Sequence, residues 1–244
     1  MNRIRIESPQ IQSFETEHIA AVRRLAPECM VLLENDGTLP LKGAGKLALY
    51  GSGARRTIKG GTGSGDVNVR HFVTVEEGLK NAGFEITTQS WLDRYDQVVE
   101  DARKAFYGAV RKEAEAAGLT GSRLAMYAMG RTCPEPEYEL PLDGEGDMAA
   151  YILARNSGEG SDRKPVAGDI NLTETEIRDI LALNEKYDKF VLVLNVGGMI
   201  DLKPVKAVKT VLLMGRLCHR GCPLRRAPWQ GQPFRQADHD LGAH

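Results

Sequence analysis

The stretch RNSGEGSDR, residues 155–163, sets Glu159 between Gly158 and Gly160. Flanking glycines leave a carboxyl group exposed and free to turn. A general acid that must reach a leaving oxygen and then withdraw has use for that freedom. A solvated acidic turn would present the same residues. Asp162 and Arg163 are adjacent and oppositely charged, so they are expected to support the loop through a local ion pair at its base. A second stretch, GGTGSGD at 60–66, gathers Gly61, Gly63, Ser64 and Gly65 into a candidate pocket loop. Glycines there would let backbone N–H groups approach an anion. Yet the stretch lacks the Gly-Lys-Ser/Thr ending of a P-loop, and its spacing fails the G-x-G-x-x-G dinucleotide pattern. A close turn facing a sugar or another domain competes with nucleotide binding. The third stretch, NVGGMIDL at 195–202, reads most simply as a tight exit from a buried strand.

The elements that must position these loops alternate along the chain. Residues 15–33 are predicted as an amphipathic helix, with Ile19, Val22, Leu25, Met30 and Leu33 at roughly helical spacing and Pro27 bending or interrupting it. The Asp-Gly and Pro of ENDGTLPL then form a turn. Residues 46–51 make a short buried strand ending in glycine. Residues 73–82 read as a helix capped by Thr74, with Glu76 and Glu77 in its first turn. A β-prone stretch at 84–88 and a long helix at about 92–117 follow, and then a Pro/Gly/acidic loop at 130–147. Strands are expected at 148–154, 190–196 and 208–214. Between the first two lies a helix at 173–187, opened by a capping box of Thr173 and Glu176.

Continuous Val/Leu/Ile strands separated by helices specify an α/β fold, a mainly parallel sheet sandwiched between helices. Ligands of such sheets sit in loops beyond the carboxyl ends of the strands. The loops after Gly51, Arg155 and Val196 occupy that position, and all are rich in glycine.

Composition excludes several function classes. With 32 basic and 33 acidic residues the formal net charge is -1, which gives no electrostatic case for nucleic acid or a membrane surface. No apolar run approaches the roughly 18 residues needed to span a bilayer. The first residues, MNRIRIESPQIQSF, do not read as a secretory signal, so a cytoplasmic location is expected. Four scattered cysteines (29, 133, 218 and 222) make no disulfide framework. No cofactor is implied.

Five motifs, taken in order, resemble the C-terminal-type domain of glycoside hydrolase family 3. They are VRRLAPECMVLLENDGTLPL, GTGSGDV, ARNSGEGSDR, GDINLTETE and VLVLNVGGMIDL, covering about residues 20–214. The resemblance implies a six-stranded α/β sandwich that normally packs beside a (β/α)₈ barrel, with the substrate pocket between the two. In the bacterial β-glucosidase-like branch the general acid/base is the glutamate of the S-G-E-G-x-D-R loop, here Glu159. The nucleophile is an aspartate on the barrel. Beginning with this domain also resembles members whose domain order is reversed. The implied reaction is retaining hydrolysis of a β-linked glucoside or oligosaccharide, with two carboxyls roughly 5–5.5 Å apart. No barrel pattern is present in the sequence, so the isolated chain is expected to be inactive, with the missing barrel as its natural packing partner. A non-catalytic carbohydrate-binding or interaction module is the alternative.

After Met214 the sequence changes character, dividing the chain into a sandwich domain at 1–214 and an irregular tail at 215–244. The tail holds three of the five histidines, five arginines and no Val or Ile. Cys218, His219 and Cys222 lie too close together in an arginine-rich segment to make a convincing zinc site, so no metal is expected. The codons permitted by Trp229-Gln230-Gly231-Gln232-Pro233-Phe234, read one nucleotide later, can encode Gly-Lys-Ala-Ser-Pro-Ser. That resembles the family's continuation, so the tail is expected to be frameshifted sequence.

Overall fold

The computed structural model describes residues 10–61, 69, 71–128, 131–157 and 162–214. Six strands form one sheet: β1 (Met30–Glu34), β2 (Lys46–Tyr50), β3 (Glu85–Ile86), β4 (Met148–Arg155), β5 (Phe190–Val196) and β6 (Val211–Met214). Their order across the sheet is β1-β6-β5-β4-β2-β3. All pairings are parallel except β1 with β6. The helices are α1 (Ser13–Leu25), α2 (Val75–Asn81), α3 (Gln89–Ala116), α4 (Gly121–Ala128) and α5 (Glu174–Lys186). The α/β fold expected from the alternating pattern is therefore present, and the described residues form no (β/α)₈ barrel.

Strand residues alternate between the two faces of a sheet. In β2, Leu47, Ala48, Leu49 and Tyr50 are all fully buried, and β5 is buried along its whole length. Both faces are thus covered, which is why these strands read as unbroken apolar runs. One aromatic group, Tyr50, Trp91, Tyr95 and Tyr138, joins β2 to α3 and to the segment before β4. Trp91 stacks on Tyr95 and meets Tyr50 and Tyr138 edge-on. Helix α5 begins where expected: the Thr173 hydroxyl accepts the Glu176 N–H, and the Glu176 carboxylate accepts the Thr173 N–H.

The predicted helix at 15–33 is half right. It stops at Leu25, one 3₁₀ turn at Ala26–Cys29 follows, and Met30–Glu34 is the antiparallel strand β1. Pro27 ends the helix because it lacks an N–H and its ring crowds the preceding turn. Beyond it, a short apolar run satisfies a strand as well as a helix, and pairing with β6 decides the matter. Helix α4 is an addition to the elements expected from the sequence.

Candidate functional site

Chain order and spatial order part company between β2 and β4. From β2 the chain runs outward to β3, then returns to place β4 on the opposite side and continues to β5 and β6. A reversal of this kind opens a crevice at the carboxyl ends of the two strands flanking it. The loops that meet there are those after β2 and β4, which carry the GGTGSGD and RNSGEGSDR stretches.

The exit from β2 is built tightly. Gly51 has φ +92, and a Cβ there would stand 2.6 Å from the Ile152 carbonyl oxygen, so only glycine fits. Gly53 N–H donates to Ile152 O at 2.8 Å, and Ala154 N–H donates to Ser52 Oγ at 3.0 Å. The chain then reaches past β4 to β5. There the Asn195 side chain accepts the Ile58 N–H at 2.6 Å and donates to the Ile58 carbonyl at 3.3 Å. Asn195 is buried, and it holds the entrance to the glycine stretch by backbone alone.

Arg155 ends β4 and is buried to 5 % exposure. Its Nη2 donates to Glu176 Oε2 at 2.5 Å, its Nη1 to the Ala154 carbonyl at 2.9 Å and its Nε to the Asp169 carbonyl at 3.3 Å. Glu176 is completely buried. Its charge is met by Arg155, by the Thr173 N–H and by the N-terminal end of the α5 dipole. Nearby, Glu135 accepts a hydrogen bond from the Tyr95 hydroxyl. Burial and the neighbouring Glu176 charge push the Glu135 carboxyl up to about 7, against the opposing pull of Tyr95, Arg155 and Arg56.

Both ends of the 155–163 stretch are tied to the loop after β5. On the departing side, Gly197 N–H donates to Arg155 O at 3.2 Å, and Ser157 Oγ donates to Gly197 O at 2.6 Å. On the returning side, Arg163 Nη2 donates to Met199 O at 3.3 Å. Arg163 pairs through Nε with Asp169, whose other oxygen accepts the Lys164 N–H at 2.6 Å. The ion pair expected between Arg163 and Asp162 is thus made with Asp169 instead. The intervening 164–169 segment turns back on itself, with Val166 N–H donating to Lys164 O and Asp169 N–H to Val166 O, and so brings Asp169 to the arginine. Asp162 is exposed.

Of the residues singled out in the sequence, Gly61, Asp162 and Arg163 are described. Gly158, Glu159, Gly160, Gly63, Ser64 and Gly65 lie outside the described residues. Sequence reasoning missed Arg155, Asp169 and Asn195 as organisers of the crevice. One signal was available: an arginine or asparagine within an otherwise apolar buried strand requires a dedicated partner. Among the described residues, no group of three or more His, Cys, Asp or Glu side chains could hold a metal ion, and no helix is long and apolar enough to cross a membrane.

A family model described as the glycosyl hydrolase family 3 C-terminal domain matches residues 30–220. The chain belongs to glycosyl hydrolase family 3. Beta-glucosidase A of Butyrivibrio fibrisolvens is 29 % identical over 214 residues, which take in 76 % of this chain and 23 % of that protein. A beta-glucosidase of Ruminococcus albus is 29 % identical over 197 residues, 76 % of this chain and 18 % of its own length. The beta-glucosidase 3B structure from Thermotoga neapolitana in complex with glucose superposes with a TM-score of 0.63 at 26 % identity, covering 88 % of this chain and 29 % of that one. This family 3 chain therefore spans under a third of the length of each of these relatives.

Proposed function

We propose that this domain contributes the general acid/base to retaining hydrolysis of a β-glycosidic bond, with Glu159 in that role. The observation that supports it is the placement of the 155–163 stretch. Its two ends are fixed at the strand-order reversal, the site where an open α/β sheet binds ligands, in a family whose matched relatives are beta-glucosidases. Glu159 would protonate the departing oxygen and then, as the carboxylate, draw a proton from the attacking water. An aspartate of an adjoining barrel would be the nucleophile. Gly158 and Gly160 would leave the carboxyl free to follow the oxygen. Gly61, Gly63, Ser64 and Gly65 would line the β2 side of the same crevice, against a β-linked glucoside or oligosaccharide. Residues 1–214 form the sandwich domain in this reading, and residues 215–244 are out-of-frame sequence, which sequencing of the underlying DNA tests directly.

The test is a chimera joining this chain to the nucleophile-bearing domain of a family 3 beta-glucosidase. It should hydrolyse aryl β-glucosides. Glu159→Gln should lower kcat on the order of a hundredfold or more for a poor phenol leaving group, and far less for a strongly acidic phenol that departs without a proton. Equal losses on both substrates would remove Glu159 from the acid role. An inactive chimera that still binds glucosides would favour a carbohydrate-binding module.

A further inference from the structure

Most of the crevice contacts join one strand end to the next, but one set does something different. A Cβ on Gly198 would stand 3.3 Å from Arg163 Nη1 and 3.6 Å from Ser157 Oγ. Ser157 and Arg163 lie on opposite sides of residues 158–162 in the sequence, yet a side chain at one position of the β5 loop, Gly198, would meet both. Both also bond to its backbone, Ser157 to Gly197 O and Arg163 to Met199 O. The returning side carries a further restraint, because Asp169 takes Arg163 Nε on one oxygen and the Lys164 N–H on the other. Burial opposes ionisation of the Asp169 carboxyl, but these two donors outweigh it and hold the group below its ordinary range. The Asp169 carbonyl in turn accepts from Arg155 Nε, on the departing side. Asp169 is thus bonded to residues on both sides of the loop.

We infer that Asp169, acting through Arg163, is a positioning residue that anchors the chain at Arg163 and Lys164 against the loop after β5, to which Ser157 is also bonded. The role in catalysis rests on the assignment of Glu159 made above, whereas the anchoring of Arg163 and Lys164 does not. Pre-organisation of this kind is where small displacements carry large rate effects, on the order of a hundredfold for about 1 Å. Substituting Asp169 by asparagine would set an amide NH₂ against either the Lys164 N–H or the Arg163 Nε–H, so one of the two bonds must break.

Amide hydrogen exchange on the full chain tests the anchoring directly. Asp169→Asn should speed exchange at residues 162–164 at least tenfold while leaving β5 and α5 at native rates. Arg163→Lys keeps the charge but not the fork, and should give an intermediate rate. In the chimera, Asp169→Asn should lower kcat roughly ten- to a hundredfold with KM little changed. Native exchange at 162–164, or faster exchange spread evenly over the whole domain, would overturn the inference. If Glu159→Gln proved fully active while Asp169→Asn still loosened 162–164, the catalytic assignment would fall and the anchoring would stand.

Discussion

Two arginines organise the carboxyl-end side of the sheet, and they do so under opposite conditions. Arg55, beyond the end of β2, lies at the solvent edge with acceptors on two helices. It reaches Glu76 at 2.7 Å on α2, and Asp93 at 2.6 Å, Asp96 at 3.0 Å and Gln89 at 3.0 Å on α3. Arg155, at the end of β4, is buried and faces buried Glu176 with half-buried Glu135 near it. In the first cluster, burial works against the Glu76 charge, but Arg55, Lys80 and Gln89 overcome it and hold the carboxyl down at about 2. In the second, burial prevails at Glu135 and holds it up at about 7. The number of donors per carboxylate, together with the Glu176 charge beside Glu135, makes the difference. Glu76 receives three polar side chains directly, whereas Glu135 receives one hydroxyl and shares its arginine with Glu176.

Breaking the buried pair should have the largest effect. Arg155→Met leaves the Glu176 carboxylate enclosed without its cation, and urea denaturation should show a loss of about 3–5 kcal/mol. Glu76→Gln comes next. Its folded value of about 2 lies below the unfolded 4.5. The stability it supplies, on the order of 1–3 kcal/mol once solvent screening at this edge is allowed for, is therefore present above about pH 4.5 and lost as the pH falls toward about 2. The variant should lose that amount at pH 7 and show a flatter acid limb. Smaller still is Thr173→Ala, at about 1–2 kcal/mol, since its hydroxyl caps α5 beside Glu176. Thr74→Ala at the start of α2 should cost less, about 0.5–1 kcal/mol, because its hydroxyl accepts the Glu77 N–H without the reciprocal carboxylate bond that Glu176 makes to Thr173. Glu135→Gln should change least at low pH. Glu135 is raised from 4.5 to about 7 on folding, so its contribution is fully present below about pH 4.5 and lost as the pH rises through about 7. Thermal melts of the variant should lose that decline between pH 4.5 and 7.

Much of this fold was legible because it rests on periodicity and caps. Fully buried strands produced apolar runs at β4 and β5, and the reciprocal Thr173–Glu176 cap marked the start of α5 within a residue. The register of Met30–Glu34 was not legible, since pairing with residues 211–214 is a property of the folded chain and leaves no local mark. The same holds at the crevice. Glycines flagged where loops would converge, but the partner of Arg163 could not be read, because Asp162 is its neighbour in sequence and Asp169 its neighbour in space. Asn195 and Arg155 are polar residues of buried strands, and only their partners reveal them as ties to neighbouring loops.

Strand β1 carries one more consequence, for how the chain is made. Met30–Glu34 leaves the ribosome early, yet its sheet partner among the described residues, Val211–Met214, follows about 180 residues later. At about 5–20 residues per second, that interval is roughly 10–40 s. For that time the nascent polypeptide carries an unpaired apolar MVLL run, the kind of edge that pairs readily with a second copy. The strand at this edge of the sheet is thus synthesised long before the strand it pairs with.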